Sequence, residues 1–201
     1  MRKNMKKGLI LSIIIAVILI ITIISIILIK NNLNKNNEIQ NVIDIYCDEN
    51  VQERIENETN ETQNNTLTIE DMLLQVDGEK VIGVIEISDI NYQGLVYEGT
   101  NLSTLSKGVG HFSNSPYLFG NVCLAAHNTN KFWAKLHTLE NGNIITYYSF
   151  LGTKQYEVFN VTSIEETDWT NLEDTEDNIL TLITCIKGQK DRRLCVQARE
   201  I

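Results

Sequence analysis

The sequence predicts a mainly β body, a barrel or a sandwich, preceded by one transmembrane helix. Three observations carry this expectation. Gly8 to Ile29 is a run of 22 residues without a charge. Downstream, short β-branched runs recur with glycine-containing turns between them. Long helical periods between those runs are missing, which argues against βαβ units. With 201 residues, 43 % of them hydrophobic, the chain has material for one domain and an appendage.

The apolar run comes first. As a helix it is ~33 Å long, against ~30 Å of bilayer hydrocarbon. Cleaved secretory segments carry ~7–15 apolar residues before a small-residue site, and Ser25-Ile26-Ile27-Leu28 offers no such pattern. The apolar residues surround the axis, whereas a core helix shows one apolar face. Arg2, Lys3, Lys6 and Lys7 precede the run. By the positive-inside rule, residues 1–7 form a cytoplasmic tail, 8–29 a single-pass membrane anchor, and the remainder lies outside the cell.

Residues 30–66 read as a polar linker. Residues 31–66 hold eleven asparagines and neither glycine nor proline. Ile39, Val42, Ile43 and Tyr46 fall at helical spacing, so a short amphipathic helix fits there. The rest of the linker is too polar to bury a core.

The body is expected over 67–201. Strands are expected over 81–87, 121–126, 143–149, 155–162, 179–184 and 193–198, where β-branched and alternating residues concentrate. Gly94, Gly99, Gly108, Gly142, Gly152 and Gly188 mark turns. Lys131 to Leu139 is the best helical stretch. Charge bounds function: residues 31–201 carry 12 Lys/Arg against 26 Asp/Glu, a balance of 12 - 26 = -14. A phosphate-backbone binder needs clustered Lys/Arg, so nucleic acid is excluded as a partner.

Few residues offer chemistry. The chain has three histidines, His111, His127 and His137, and four cysteines, Cys47, Cys123, Cys185 and Cys195. Neither CxxC nor HxxxH spacing occurs, so no metal site is expected. The P-loop, GxGxxG and GxSxG patterns are absent too. In Thr181-Leu182-Ile183-Thr184-Cys185 an apolar strand ends on a cysteine. A strand end fixes a side chain while leaving it accessible, as a nucleophile requires; a buried structural cysteine is the competing reading. His127 closes a second strand after Ala125-Ala126. His111 sits in a glycine-flanked loop, and His137 in the helical stretch. Cys47 reads as an incidental thiol, and Cys123 and Cys195 as small hydrophobes inside the barrel. Arg192-Arg193 opens the last strand. A guanidinium there is either a solvated strand end or a donor to a developing oxyanion.

Taken together, these segments resemble the sortases, membrane-anchored cysteine transpeptidases of Gram-positive bacteria, with a class A or D character. Thr181, Leu182, Thr184 and Cys185 match the TLxTC signature. Ala125-Ala126-His127-Asn128 resembles the family's histidine segment. Phe132 to Ile144 resembles FxxLxxLxxGDxI, and Val96 to Thr100 and Gly108 to His111 resemble VYEGT and GVGH. The match runs from about Val81 to Ile201 in the family's order. Ile87-Ser88-Asp89-Ile90 lacks the usual proline, and Ala126 stands where glycine is usual.

The resemblance implies a closed sortase-type barrel of about eight strands with short helices. It implies Cys185 as nucleophile, His127 as acid/base, and one arginine as oxyanion or substrate stabiliser. Arg193 fits better than Arg192, because Ala198 stands five residues after it and neighbours on a strand face opposite ways. The reaction implied is cleavage of an LPxTG-like sorting signal through a thioacyl-enzyme. Transfer then goes to an amine of a peptidoglycan precursor or a pilin. The partners implied are secreted surface proteins bearing that signal, and the substrate groove implied lies near Ala125, Thr181 and Ile183. No cofactor is expected. Some sortases bind calcium in the connection corresponding to 163–178, which holds seven carboxylates here; a solvated acidic loop is the other reading. A purely hydrolytic surface cysteine protease and a non-catalytic, membrane-tethered adhesion or scaffold domain are the alternatives.

Overall fold

The computed structural model describes residues 2–48, 73–76 and 78–201. They fall into two compact units, Met1–Gln40 and Asn41–Ile201. The Asn-rich stretch after residue 48 and the body's start at residue 67 lie outside the described residues.

Helix α1 runs over Arg2–Tyr46 without a break. From Ile14 onward it is long and apolar enough to cross a membrane, with mean hydropathy 2.8. From Ile14 to Leu33 its isoleucines and leucines are exposed all round the axis. Two hydroxyls within the apolar run are satisfied by their own helix: Thr22 Oγ1 donates to Leu19 O at 2.8 Å and Ser25 Oγ to Ile21 O at 2.9 Å. That back-bonding is what a hydroxyl needs in surroundings without water. The helix continues through residues 30–46, where the polar linker is expected to begin. Propagating an existing helix is far easier than starting one, and neither glycine nor proline interrupts this stretch. Within the second unit, Val42, Ile43 and Tyr46 of the last turns are buried. Tyr46 Oη donates to Val81 O at 2.6 Å and accepts from Leu74 N at 3.3 Å.

The second unit is a nine-stranded sheet: β1 (Leu74–Val76), β2 (Glu79–Ile87), β3 (Tyr92–Glu98), β4 (Val109–His111), β5 (Asn121–Ala125), β6 (Ile144–Ser149), β7 (Gly152–Glu165), β8 (Ile179–Ile186) and β9 (Gln189–Glu200). A short helix α2, Leu102–Lys107, precedes β4. The order is β1-β2-β3-β4-β5-β8-β9-β7-β6, and β2 also pairs with β6. The β2–β6 pairing closes β2 to β9 into an eight-stranded barrel, with β1 added at the edge of β2. Closure removes the open sheet edges that invite aggregation.

All six expected strand regions are strands. Three further strands, β1, β3 and β4, carry little period-2 pattern, being short or interrupted by glycine. Gly94, expected at a turn, is buried inside β3 opposite Ile85. A Cβ there would lie 2.4 Å from Tyr92 Oη, so the position stays small because a tyrosine folds over it. Lys131 to Leu139 forms successive tight turns ending in a 3-10 turn at Leu136–Thr138, not an α-helix. Four of its backbone hydrogen bonds span three residues, as in Phe132 N to Thr129 O and Leu136 N to Trp133 O, while Trp133 N reaches back to His127 O and Ala134 N to Thr129 O. So short a segment gains little as an α-helix, and the tighter coil buries Phe132, Trp133, Leu136 and Leu139 together.

Strand β8 lies between β5, with which it is parallel, and β9, with which it is antiparallel. Alternation along β8 sorts two faces. Leu180 and Leu182 pair with Val122 and Leu124 on one side and with Ala198 and Val196 on the other, and all six are fully buried. Leu182→Ala is therefore expected to cost about 2–5 kcal/mol, read from the denaturation midpoint of the full chain in detergent. The other face carries Thr181, Ile183 and Cys185, and is covered by the connection between β7 and β8.

Candidate active site

Register alone brings three side chains together. Cys185 is the direct Cα partner of Arg193 across the β8–β9 ladder. On the other flank Ala125 pairs with Ile183, so two residues further along both chains His127 comes level with Cys185. Directly opposed residues on neighbouring strands share a face, with Cβ atoms ~5 Å apart. Two side chains extend the ladder beyond the end of β5: Thr184 Oγ1 donates to Ala126 O at 2.7 Å and Asn128 Nδ2 to Cys185 O at 2.6 Å. Those two bonds fix the cysteine-bearing strand end against the histidine-bearing loop.

Cys185, His127 and Arg193 line one cleft of about 300 Å³. Its apolar wall includes Phe112, Ala125, Ile164, Leu172 and Ile183, and its rim includes Glu166, Asp168 and Trp169. A second, larger cleft of about 1010 Å³ shares Cys185 and His127 and runs toward His137 and Lys187. The cysteine thus stands where two grooves meet. It is exposed and free, unlike a buried structural thiol.

Arg192 and Arg193 diverge as neighbours on a strand must. Arg192 is tied away from the cleft, its Nε donating to Ser163 Oγ at 2.9 Å and its Nη2 to Ser163 O at 2.6 Å. Arg193 faces the cleft. Its Nη1 donates to Lys190 O at 3.0 Å and Arg192 O at 2.9 Å, and its Nη2 to the Glu166 carboxylate. The ladder is irregular here: Cys185 pairs with Arg193 but Ile186 with Gln189. Lys190, Asp191 and Arg192 are therefore extra on β9, a bulge of the kind that re-aims a side chain.

Of the residues expected in the groove, Ala125 and Ile183 line the smaller cleft. Thr181 does not reach it. It is fully buried, and its hydroxyl donates to Asn121 Oδ1 at 2.7 Å. Asn121 Nδ2 in turn donates to Asn171 O at 3.0 Å and Glu173 O at 2.8 Å, holding the β7–β8 connection over the sheet. Cys123 and Cys195 share the Cys185 face, beneath that connection and outside the barrel interior where they are expected. Cys195 packs with Ile164 and Ile183 under Phe112 and Leu172. Burial pushes both thiols up to about 12, so neither supplies a thiolate near neutral pH. Cys47 is exposed, 3.6 Å from Thr153 Oγ1.

His111 and His137 stand apart from the three. His137 is exposed. His111 is fully buried and stacked on Tyr117, with Nδ1 3.0 Å from Glu98 Oε2 and Nε2 3.1 Å from Pro116 O. Burial raises the Glu98 pKa, but hydrogen bonds from His111 and Ser113 and the His111 charge overcome it and hold the carboxyl below its usual range. A carboxyl depressed by folding contributes stability that is complete above its unfolded-state pKa and is lost as pH falls through the folded value. Acid titration of the full chain should show that loss, and Glu98→Gln should remove the Glu98 share of it.

The connection's carboxylates do not build a calcium cage. Glu166 is on Arg193, Asp168 accepts from Thr170, Asp174 from Asn121 N, and Asp177 lies 3.6 Å from Arg199. Among the described residues no three His, Cys, Asp or Glu side chains converge as metal ligands. Asn128, Glu166 and Trp169 have places in or beside the site that the sequence reading did not assign. Asn128 follows the histidine in the family-like segment, and Glu166 was visible only as one acid among seven.

A family model described as the sortase domain matches residues 85–201, more than half of the chain. The chain belongs to the sortase family. Sortase A of Listeria monocytogenes is 26 % identical over 129 residues, 62 % of this chain and 58 % of that protein. Sortase D of Bacillus subtilis is 30 % identical over 106 residues, 51 % of this chain and 53 % of that protein. The matches thus span less than two thirds of these relatives' own lengths. Among solved structures, sortase C1 of Streptococcus agalactiae superposes with TM-score 0.66 at 23 % identity, over 82 % of this chain and 98 % of the other. Sortase C of Clostridium perfringens gives 0.61 at 25 %, over 84 % and 96 %. The closed barrel and the apolar N-terminal helix of this sortase agree with the expected fold.

Proposed function

We propose that this sortase is a cysteine transpeptidase that cleaves an LPxTG-like sorting signal and joins the released carbonyl to a cell-wall or pilin amine. The observation that carries the reading is an exposed, unpaired Cys185 that shares a cleft with His127, just beyond the end of β5, and Arg193 on β9. The thiolate of Cys185 attacks the scissile carbonyl, and neighbouring positive charge favours a thiolate. Arg193 donates to the oxyanion as the carbonyl carbon becomes tetrahedral, where a preorganised donor acts most strongly. His127 gives a proton to the leaving amine, and the carbonyl is left on sulfur as a thioester. An incoming amine then attacks the thioester, His127 accepts its proton, and Cys185 is released. No cofactor enters this sequence.

Ala125 and Ile183 form the floor against which the substrate's apolar side chains lie. Thr181 acts below that floor, through Asn121, by holding the overlying connection in place. Residues 8–29 anchor the enzyme with residues 1–7 in the cytoplasm and 67–201 outside. The anchor confines the reaction to the membrane surface, where secreted substrates emerge.

The test uses the full chain in detergent with an LPxTG-type peptide, with and without a glycine- or lysine-bearing amine. A thioacyl adduct on Cys185, seen by mass spectrometry, and amine-dependent ligation are expected. Hydrolysis that persists unchanged at high amine would instead indicate a protease, and no adduct at all a non-catalytic domain.

A further inference from the structure

Arg193 carries a long side chain that must hold still to serve an oxyanion. A free arginine side chain has many rotamers to give up when it is held in one. The extra residues on β9 leave the carbonyls of Lys190, Asp191 and Arg192 outside the β8 ladder. Two of them, Lys190 O and Arg192 O, accept from Arg193 Nη1 at 3.0 and 2.9 Å. The third, Asp191 O, accepts from Glu166 N at 2.8 Å. Glu166 is therefore pinned by its backbone to the same bulge that its carboxylate reaches across to hold Arg193 Nη2. It is the first residue beyond β7 and lines the cleft with Cys185 and His127.

We propose that Glu166 is a positioning residue for the chemistry at Cys185: its carboxylate fixes the Arg193 guanidinium at the mouth of the cleft in the orientation that meets the oxyanion. This rests on the reading of Arg193 as the oxyanion donor. Carbonyls grip Nη1, and the carboxylate grips Nη2, so the plane of the guanidinium is set from two sides. The Glu166 side chain is 54 % exposed, against 21 % for Arg193. Its contribution to folding is accordingly small, as for most solvated ion pairs. Its contribution to rate can be large, because a displacement of ~1 Å at a reacting centre costs about 10²-fold.

The test is a double-mutant cycle on the full chain in detergent, following single-turnover thioacylation by an LPxTG-type peptide. Glu166→Gln is expected to slow the chemical step by about tenfold or more, with little change in KM and an unchanged Tm. Glu166→Asp should recover part of the rate. Combined with Arg193→Ala, Glu166→Gln should add almost nothing, because both changes remove one unit. Independently of activity, Glu166→Gln should speed modification of Arg193 by phenylglyoxal, mapped by mass spectrometry. A rate unchanged or raised in Glu166→Gln, with Arg193→Ala still impaired, would overturn the positioning role alone. Additive effects in the double variant would overturn it as well. Arg193→Ala at full rate would overturn the oxyanion role of Arg193 and this inference with it, and wild-type protein that forms no adduct would sink the transpeptidase reading as well. Faster phenylglyoxal modification in that case would leave only a structural pair.

Discussion

Alanine at Cys185 is expected to abolish both the thioacyl adduct and amine-dependent ligation. The rate should fall by about 10⁴-fold or more, the scale on which removal of a covalent nucleophile acts. The fold should survive. Cys185 is exposed at the end of β8, and truncating an exposed side chain leaves no cavity. Unchanged Tm together with lost adduct is the signature to look for. Cys123→Ala and Cys195→Ala should give the converse, keeping the adduct while lowering Tm, because both side chains are fully buried. The two outcomes separate the reactive thiol from the packing thiols in one experiment. Retained ligation in Cys185→Ala would move the chemistry elsewhere.

Alanine at Arg193 is expected to slow thioacylation by about 10²–10³-fold, as loss of one oxyanion donor does. Alanine at Arg192 should leave the rate near wild type. The contrast is sharp because the two residues are adjacent and alike in charge, so any general electrostatic effect would touch both. Only orientation differs: Arg193 lines the cleft, while Arg192 is bound to Ser163 on the far side. Lysine at 193 should not restore the rate, since a single ammonium cannot reproduce a planar fork held from two sides. Equal losses at both positions would show that charge, and not aim, is what matters.

Much of the fold was legible because its signals are local. The apolar run of α1 and the β-branched runs of β2, β5, β6, β7, β8 and β9 declare themselves within a few residues. What local pattern missed has a common cause. β1 and β4 are three residues each, too short for alternation to register. Gly94 reads as a turn until Tyr92 is seen lying over it. Lys131 to Leu139 has helical spacing, yet tighter turns bury its aromatic and leucine side chains. Residues 30–46 look like linker but inherit the helix begun before them.

The sequence by itself determined the long apolar N-terminal helix, the strand that carries Cys185 near its end, and the order of segments that marks a sortase. These follow from hydropathy, β-propensity and short motifs, all of which act over neighbouring residues. Only the tertiary structure decided that Thr181 serves from beneath the cleft and that Cys123 and Cys195 lie under a loop outside the barrel. It alone paired Glu166 with Arg193. Those facts depend on register between strands far apart in the chain and on a three-residue bulge in β9. Register is a property of pairs of strands, so no single stretch of sequence contains it.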